Sequence, residues 1–174
     1  HDYKELNIND YIRMADRLIE KLPQIKYFWF IDEALTVTQL FAIATSFIKS
    51  GKEIFWQART RIDEKLLSKE LIKVLKESGL KELRLGLESA SYSVLQKMNK
   101  FDDSFSFAMV KRIVKEYSEN NISIHFPIIV GFPGETNFDR KLTYDFLREI
   151  KAEYPLVSFN INILNLDVSS TLFK

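Results

Sequence analysis

Strand and helix patterns alternate along this chain of 174 residues, and the alternation restricts the fold more than any other feature. Five short apolar runs are typical of strands, at residues 27–31, 53–58, 82–87, 122–130 and 157–164. Helical spacing of apolar residues predicts helices at 9–22, 36–50, 66–78, 91–98, 103–120 and 138–152. Such alternation indicates parallel strands joined by right-handed crossovers, hence an α/β fold.

Two ways of closing such a sheet fit the pattern: an open doubly wound sheet, or part of a (β/α) barrel. Polar side chains inside the predicted strands, at Arg84, Asn160 and Asn162, suit a barrel whose interior holds a ligand. A helix pattern comes first, without a strand before it, and the last strand has no helix after it. We therefore expect a single domain over 1–174 that is a fragment truncated at its N-terminal strand.

Composition excludes several classes of function. Lys plus Arg number 25 and Asp plus Glu number 24, so a net charge of +1 gives no argument for a nucleic-acid or membrane-surface partner. Apolar runs are short and interrupted by charge, which predicts neither a membrane span nor a signal peptide. The chain has no Cys and only two His, so it contains no disulfide and no thiolate metal site. The compartment expected by default is the cytoplasm.

The clearest local motif is the junction at 128–136, where an apolar strand stops at Gly131-Phe132-Pro133-Gly134 and a helix pattern follows at once. Parallel sheets bind ligands at the carboxyl ends of their strands. Two glycines beside an aromatic residue at such an end favour close approach of a ligand, although tight-turn chemistry explains them too.

Other strand ends carry polar groups that would meet at the same mouth. They are Asp32 and Glu33, Arg59 and Arg61, Glu88 and Ser89, and Asn165. Each has an ordinary alternative: helix capping for the acids and the serine, or ion pairing for the arginines. His125 lies within a strand and is interpreted as a core or interior histidine rather than a metal ligand.

Taken in order, the strand-end segments resemble the radical S-adenosylmethionine (SAM) enzymes. The segments are 30–33 (FIDE), 56–61 (WQARTR), 85–91 (LGLESAS), 94–100 (VLQKMNK), 130–136 (VGFPGET) and 170–173 (STLF). The closest subgroup is the one that often carries an upstream cobalamin-binding domain. The resemblance covers nearly the whole chain, and its specificity comes from six weak motifs in the right order.

The resemblance implies a parallel partial (β/α) barrel of the TIM-like type, a fragment of a (β/α)6 core. It implies a 4Fe-4S cluster on three cysteines and reductive cleavage of SAM to a 5′-deoxyadenosyl radical, with cobalamin as a candidate further cofactor. The same resemblance assigns Asp32 and Glu33 to the SAM amino group, and Arg59 and Arg61 to its polar moiety. Glu88 and Ser89 are assigned to the ribose or carboxylate, and Lys100 to the carboxylate. Ile129, Gly131, Phe132 and Pro133 are assigned to the adenine.

This sequence departs from the family pattern at three places. It has no cysteine to hold the cluster, so the ligands are expected upstream of this chain and the fragment is expected to be inactive alone. The Pro-Gly-Thr expected near the end reads Ser169-Ser170-Thr171. Pro127 stands where some relatives carry an acidic ribose ligand, which weakens the assignment of ribose recognition.

Two other functions fit the residues. One is a non-catalytic module that binds a nucleoside or small ligand in the same mouth. The other is an unrelated barrel lyase with Glu88 as its acid–base group and Arg61 as its anion-binding group. For the radical SAM function, the expected substrate is a small molecule or peptide, with no nucleic acid and no membrane. The exposed edge of the first strand, 27–31, is also expected to permit dimerisation.

Overall fold

The computed structural model describes residues 8–31, 34–101 and 104–165. Its strands are β1 (Tyr27–Trp29), β2 (Phe55–Thr60), β3 (Leu80–Leu85), β4 (Ser123–Val130) and β5 (Ser158–Ile163). Its helices are α1 (Ile8–Lys21), α2 (Val37–Ser50), α3 (Lys69–Glu77), α4 (Tyr92–Lys97), α5 (Phe107–Glu119) and α6 (Asn137–Glu153). A 3-10 turn at Glu64–Leu67 precedes α3.

All strand pairings are parallel, and the strands lie in the sheet in chain order, β1-β2-β3-β4-β5. A doubly wound sheet reverses direction at a switch point, and this sheet does not. Right-handed crossovers that always step the same way put the helices on one side of a sheet. The prediction of a parallel α/β partial barrel is therefore confirmed, and the doubly wound alternative is wrong.

The helix-facing side of the sheet forms the hydrophobic core. Alternate residues of β2 and β3, among them Trp56, Ala58, Leu83 and Leu85, are fully buried there. Trp56 is held further by its indole N–H, which donates to Ser78 Oγ at 3.0 Å. The remaining residues of the same strands point to the opposite side, which we call the inner face.

Helix starts follow side-chain caps that the sequence contains. Thr36 caps α2 and Thr136 caps α6, each in a reciprocal capping box with the residue three positions later. The helix predicted at 66–78 begins as a 3-10 turn, because Ser68 caps a new helix within it. The helix predicted at 103–120 starts at Phe107, where Ser106 accepts from Met109 N–H, and Asp103 lies outside the described residues.

The second and third strands are each displaced by two residues from their predictions. β2 runs from Phe55 to Thr60 rather than over 53–58, so Arg59 lies within it, and β3 runs from Leu80 to Leu85 rather than over 82–87. Leu87 N–H donates to Leu85 O, and Ser89 N–H to Leu87 O, both at 2.8 Å. These tight turns end β3 two residues early. The segment at 86–91, which we call the β3–α4 loop, therefore leaves the sheet before Glu88.

The first strand stops at Trp29, two residues before its predicted end, and it lies at one edge of the five-stranded sheet. Tyr27, Trp29 and Ile31 are 50%, 54% and 74% exposed. Association through this edge stays a prediction. In the part of the chain described by the structure, no helix is long and apolar enough to cross a bilayer.

Candidate functional site

A cleft of about 410 Å³ opens at the carboxyl ends of the strands. The residues around it are Ala34, Arg59, Thr60, Arg61, Gly86, Glu88, Lys100, Pro127, Ile129, Asn162, Ile163, Leu164 and Asn165. Cationic side chains come from β2, from Arg61 directly after it and from the segment after α4, and apolar ones come mainly from β4 and β5. The cleft thus has a charged side and an apolar side, which suits a ligand with both an ionic and a flat apolar part.

Glu88 is the most constrained residue of the cleft. Its φ is +66°, in the left-handed region, where a non-glycine residue is uncommon and costs about 1–3 kcal/mol. The other described non-glycine residues with positive φ are Asn99 and Asn121, and Asn tolerates this conformation well. Backbone strain of this kind clusters at active and ligand-binding sites, which makes Glu88 a candidate functional residue.

Backbone hydrogen bonds hold Glu88 in that conformation. Its N–H donates to Pro127 O at 3.1 Å, and its carbonyl accepts from Ile129 N–H at 2.8 Å. Glu88 is thereby bridged to β4 as a single strand residue outside the regular sheet. Its bridge partner is Ile128, and the bond from Ile129 N–H fixes the Glu88 carbonyl beside the cleft residue Ile129.

An ion pair then fixes the Glu88 side chain. Lys100 Nζ lies 3.1 Å from Glu88 Oε1, and the two side chains are 30% and 17% exposed. Gly86 leaves room for this pair, because a Cβ there would lie 3.1 Å from Glu88 Oε1 and 3.3 Å from Lys100 Nζ. One edge of the cleft therefore presents a preformed carboxylate–ammonium pair, which lies directly against the backbone of Gly86.

A second group of polar residues lies behind the β3–α4 loop. Asp139 is 5% exposed and accepts from the hydroxyls of Ser91, Ser93 and Thr136. Those bonds, from Ser91 first and then from Thr136, hold the pKa of Asp139 well below its ordinary value of 3.8. Ser91 is the first residue before α4, where its hydroxyl donates to Asp139 rather than capping the helix, and Thr136 caps α6, so one carboxylate joins two helix starts.

Ser89 belongs to this supporting group and does not line the cleft. It is 1% exposed, its hydroxyl lies 3.2 Å from Thr143 Oγ1, and Thr143 also accepts from Ala90 N–H at 3.0 Å. The structure therefore brings Arg59, Arg61, Glu88, Lys100 and Ile129 together but turns Ser89 towards α6. Asp32 and Glu33 lie outside the described residues, as do residues 170–173 of the last motif.

Gly131, Phe132 and Pro133 form the turn that follows β4 at the cleft's apolar side. Gly131 N–H donates to Glu135 Oε2 at 2.6 Å, and Glu135 N–H donates to Phe132 O at 2.8 Å. A Cβ on Gly131 would lie 4.0 Å from Ile163 Cγ2, and Ile163 lines the cleft. The turn thus borders the cleft, while its own polar groups bond to each other.

Several cleft and support residues were missed by the sequence reading. Gly86 lines the cleft and Asp139 supports it, whereas Asn162, which was expected to face a ligand-holding interior, does line the cleft. The threonine–aspartate spacing of Thr136 and Asp139 is a capping signature and was available from the sequence. Within the described part of the chain, no three His, Cys, Asp or Glu side chains are grouped so that they could hold a metal ion.

The sequence model of the Radical SAM superfamily matches residues 1–147. Among curated proteins, the uncharacterized methyltransferase PH0819 of Pyrococcus horikoshii is 26% identical over 148 residues, which are 80% of this chain and 31% of that protein. The threonylcarbamoyladenosine tRNA methylthiotransferase MtaB of Aquifex aeolicus is 32% identical over 120 residues, 66% of this chain and 28% of that protein. The chain thus spans about a third of the length of these relatives.

A solved structure shares the fold. It is the radical SAM methyltransferase TsrM of Kitasatospora setae, with cobalamin and a 4Fe-4S cluster bound. The TM-score is 0.71 at 12% identity, over 90% of this chain and 31% of that one. A second TsrM structure, with tryptophan substrate and a SAM analogue, gives a TM-score of 0.70 at 13% identity.

Proposed function

This chain belongs to the radical SAM superfamily, and from that membership we propose that it is part of the catalytic core of an enzyme that reductively cleaves SAM. The observation that carries the proposal is the cleft at the strand ends, with the strained Glu88 and its Lys100 partner on one side. Methyl or methylthio transfer is the proposed type of outcome, because the named relatives are methyltransferases and methylthiotransferases.

The cleft fits SAM by its distribution of charge. We assign Arg59, Arg61 and Lys100 to the carboxylate end of SAM, since guanidinium and ammonium groups pair with carboxylates. Glu88 can accept hydrogen bonds from the amino group or the ribose, and its charge favours the sulfonium. Asp32 and Glu33 remain the proposed contacts of the amino group from the sequence resemblance alone.

The apolar side of the cleft fits the adenine. Ile129, Ile163 and Leu164 offer apolar surface there, and the turn of Gly131, Phe132 and Pro133 borders it. A flat ring is bound well by such surfaces when a few backbone groups fix its orientation. These residues bind and orient SAM in our proposal; Ser89 acts indirectly, by holding the loop that carries Glu88.

The iron–sulfur cluster does not fit this chain, because clusters of this type are held by thiolates and the chain has no cysteine. We therefore propose that the cluster ligands belong to another segment of the whole protein, of which this chain would be a piece of a (β/α)6 core. Relatives about three times as long as the matched region support that proposal. Cobalamin is proposed as a further cofactor on the example of TsrM.

For the substrate we propose a small molecule or peptide that presents a nitrogen-containing aromatic ring. The TsrM structure holds tryptophan, a small molecule with such a ring. The name of MtaB, a tRNA methylthiotransferase, contains threonylcarbamoyladenosine, which supports the ring but places it in tRNA. A non-catalytic ligand-binding module remains the second candidate, because the chain forms the cleft but has no cysteine to hold the cluster that cleavage of SAM requires.

The test is release of 5′-deoxyadenosine from SAM by the polypeptide translated from the intact gene, reconstituted anaerobically with iron and sulfide. We expect the wild type to release 5′-deoxyadenosine. In Glu88→Gln, which removes the charge while keeping the shape, the rate of release should fall about tenfold or more. Glu149→Gln, an exposed glutamate on α6, is the matched control. An intact protein that binds iron and SAM yet releases no 5′-deoxyadenosine would overturn the proposal of catalysis and favour the binding module.

A further inference from the structure

The inner face of the sheet is polar, which is unusual for parallel strands. Parallel sheets are generally covered on both sides and carry apolar residues throughout. Here the inner face carries Gln57, Glu82, Arg84, His125 and Asn160 on four neighbouring strands. His125 is anchored there by Ser158 Oγ at 2.8 Å and Asn160 Oδ1 at 2.6 Å. A face built this way is suited to contact a polar ligand rather than another layer of protein.

One aromatic ring stands at the edge of this face. Trp29, the last residue of β1, is 54% exposed, although its strand neighbours Phe28 and Phe30 pack against the core. The Arg84 guanidinium lies over its ring, 5.5 Å from the centroid. Arg84 Nε is held in turn by Glu82 Oε1 at 3.2 Å, and both side chains are about a quarter exposed. An exposed indole with a fixed guanidinium forms a platform on which a flat ring can stack.

Hydrogen-bonding groups lie at the border of that platform. Trp29 is the register partner of Gln57, and Gln57 is the partner of Glu82, so the three lie in one row across the strands. The phenol of Tyr27 lies close enough to Glu82 that the carboxylate adds to burial in raising the pKa of Tyr27. A carboxylate, an amide and a phenol beside a stacking surface can bind the N–H and ring-nitrogen edge of a heteroaromatic ring.

The platform adjoins the cleft. Arg59 lines the cleft, and its register partner on β3 is Arg84. Trp29 pairs with Gln57, two residues before Arg59 on β2, so one strand spacing across and two residues along separate Trp29 from Arg59, about 8 Å at the backbone. A substrate held there would be close to the SAM of the proposed function.

We infer that Trp29, Arg84 and Glu82 form a second binding subsite, which takes a flat nitrogen-containing aromatic ring of the substrate. That the bound ring belongs to a substrate rests on the proposed function, whereas binding of the ring does not. Trp29 stacks the ring, Arg84 fixes the indole and covers its other face, and Glu82 accepts a hydrogen bond from the ring's edge. Arg59 separates this subsite from the SAM carboxylate.

The chain contains only two tryptophans, Trp29 and Trp56, which provides the test. In a ¹⁵N-labelled chain their indole N–H groups give two separate NMR peaks, identified with Trp29→Phe. Trp56 is buried and hydrogen-bonded to Ser78, so its peak is the internal reference. The probes are adenosine, L-tryptophan and the saturated-ring analogue cyclohexylalanine, each titrated with and without saturating S-adenosylhomocysteine.

We expect adenosine or L-tryptophan to move the Trp29 peak saturably, while cyclohexylalanine leaves it in place. Binding should weaken about tenfold in Arg84→Met and should be unchanged in Arg112→Met, an exposed arginine on α5. Which of the two aromatic probes binds more tightly distinguishes a nucleoside from an amino-acid source. A Trp29 peak that neither probe moves would overturn the subsite. If S-adenosylhomocysteine does not bind, that result contradicts the proposed function. The titrations in which S-adenosylhomocysteine is absent still test the subsite.

Discussion

The two faces of one sheet differ sharply in this protein. On the helix-facing side, Trp56, Ala58, Leu83 and Leu85 are fully buried. On the inner face of the same strands, Gln57, Arg59, Glu82 and Arg84 alternate with them and remain partly exposed. The helix-facing side therefore stabilises the fold by apolar burial, and the polar groups of the inner face are available to bind ligands.

The sharpest test of this division between the faces compares the two tryptophans. Trp56→Ala removes a fully buried ring that packs edge-on against Phe30 and Phe47 and is expected to cost about 3–5 kcal/mol of unfolding free energy. Trp29→Ala removes a half-exposed ring and is expected to cost about 1 kcal/mol or less. Urea unfolding curves measure both. Equal losses would contradict the division of roles between the faces.

A substitution at Asp139 tests whether the charge of this carboxylate stabilises the β3–α4 loop behind the cleft. Its pKa is lowered in the folded protein, so its charge stabilises the fold at neutral pH, and that contribution is lost as the pH falls below about 4. Asp139→Asn should be less stable than the wild type at pH 7, and the difference should shrink in acid. Thermal unfolding at a series of pH values measures it. A pH-independent difference would mean that only shape matters at this position.

Glu88→Gly removes the proposed ligand-binding carboxylate and at the same time relieves the backbone strain at this position. Glycine adopts a φ of +66° freely, so relief of strain, about 1 kcal/mol, should offset the loss of the pair with Lys100 and leave stability nearly unchanged. Binding of S-adenosylhomocysteine, measured by calorimetry, should nevertheless fall about tenfold. Asn121→Gly, at a φ of +58° away from the cleft, is the control and should leave binding unchanged. Full affinity in Glu88→Gly would remove the carboxylate from the site.

The smallest expected effect belongs to Gly86→Ala. The added Cβ would lie 3.1 Å from Glu88 Oε1 and 3.3 Å from Lys100 Nζ, so the ion pair must shift by a few tenths of an ångström. We expect S-adenosylhomocysteine binding to weaken by a few-fold, about 1 kcal/mol, without a change in the urea midpoint. An unchanged affinity would show that the ligand does not depend on the exact position of the pair.

Much of this fold could be predicted from sequence, because the alternation of strand and helix patterns is a local signal. In β2, buried Trp56 and Ala58 alternate with the partly exposed Gln57 and Arg59, but the strand was predicted to end before Arg59, so the face that Arg59 shares with Gln57 was not predicted. The end of β3 could not be predicted in this way. Leu87 continues the apolar alternation, yet a tight turn from Leu85 O to Leu87 N–H ends the strand before it.

The sequence indicated which residues lie near the candidate cleft but not how they are oriented. Arg59, Arg61 and Glu88 were identified because they come after the predicted strand ends, and all three line the cleft, although Arg59 lies within β2. The strained backbone of Glu88 depends on bonds to Pro127 and Ile129, which are distant in sequence, so no local pattern reveals it. Ser89 was paired with Glu88 for being its neighbour, whereas its contacts are with Thr143 of α6.

Binding of SAM in the cleft at the strand ends is the step on which the proposed function depends. Calorimetric titration of this chain with SAM should give saturable binding at a single site in the wild type and in Arg112→Met. The same titration should give no measurable heat, up to about 1 mM ligand, in the double variant Arg59→Met with Glu88→Gln, provided that its unfolding curve is unchanged. Equal binding by the double variant and the wild type, or none by the wild type, would contradict the assignment of the cleft.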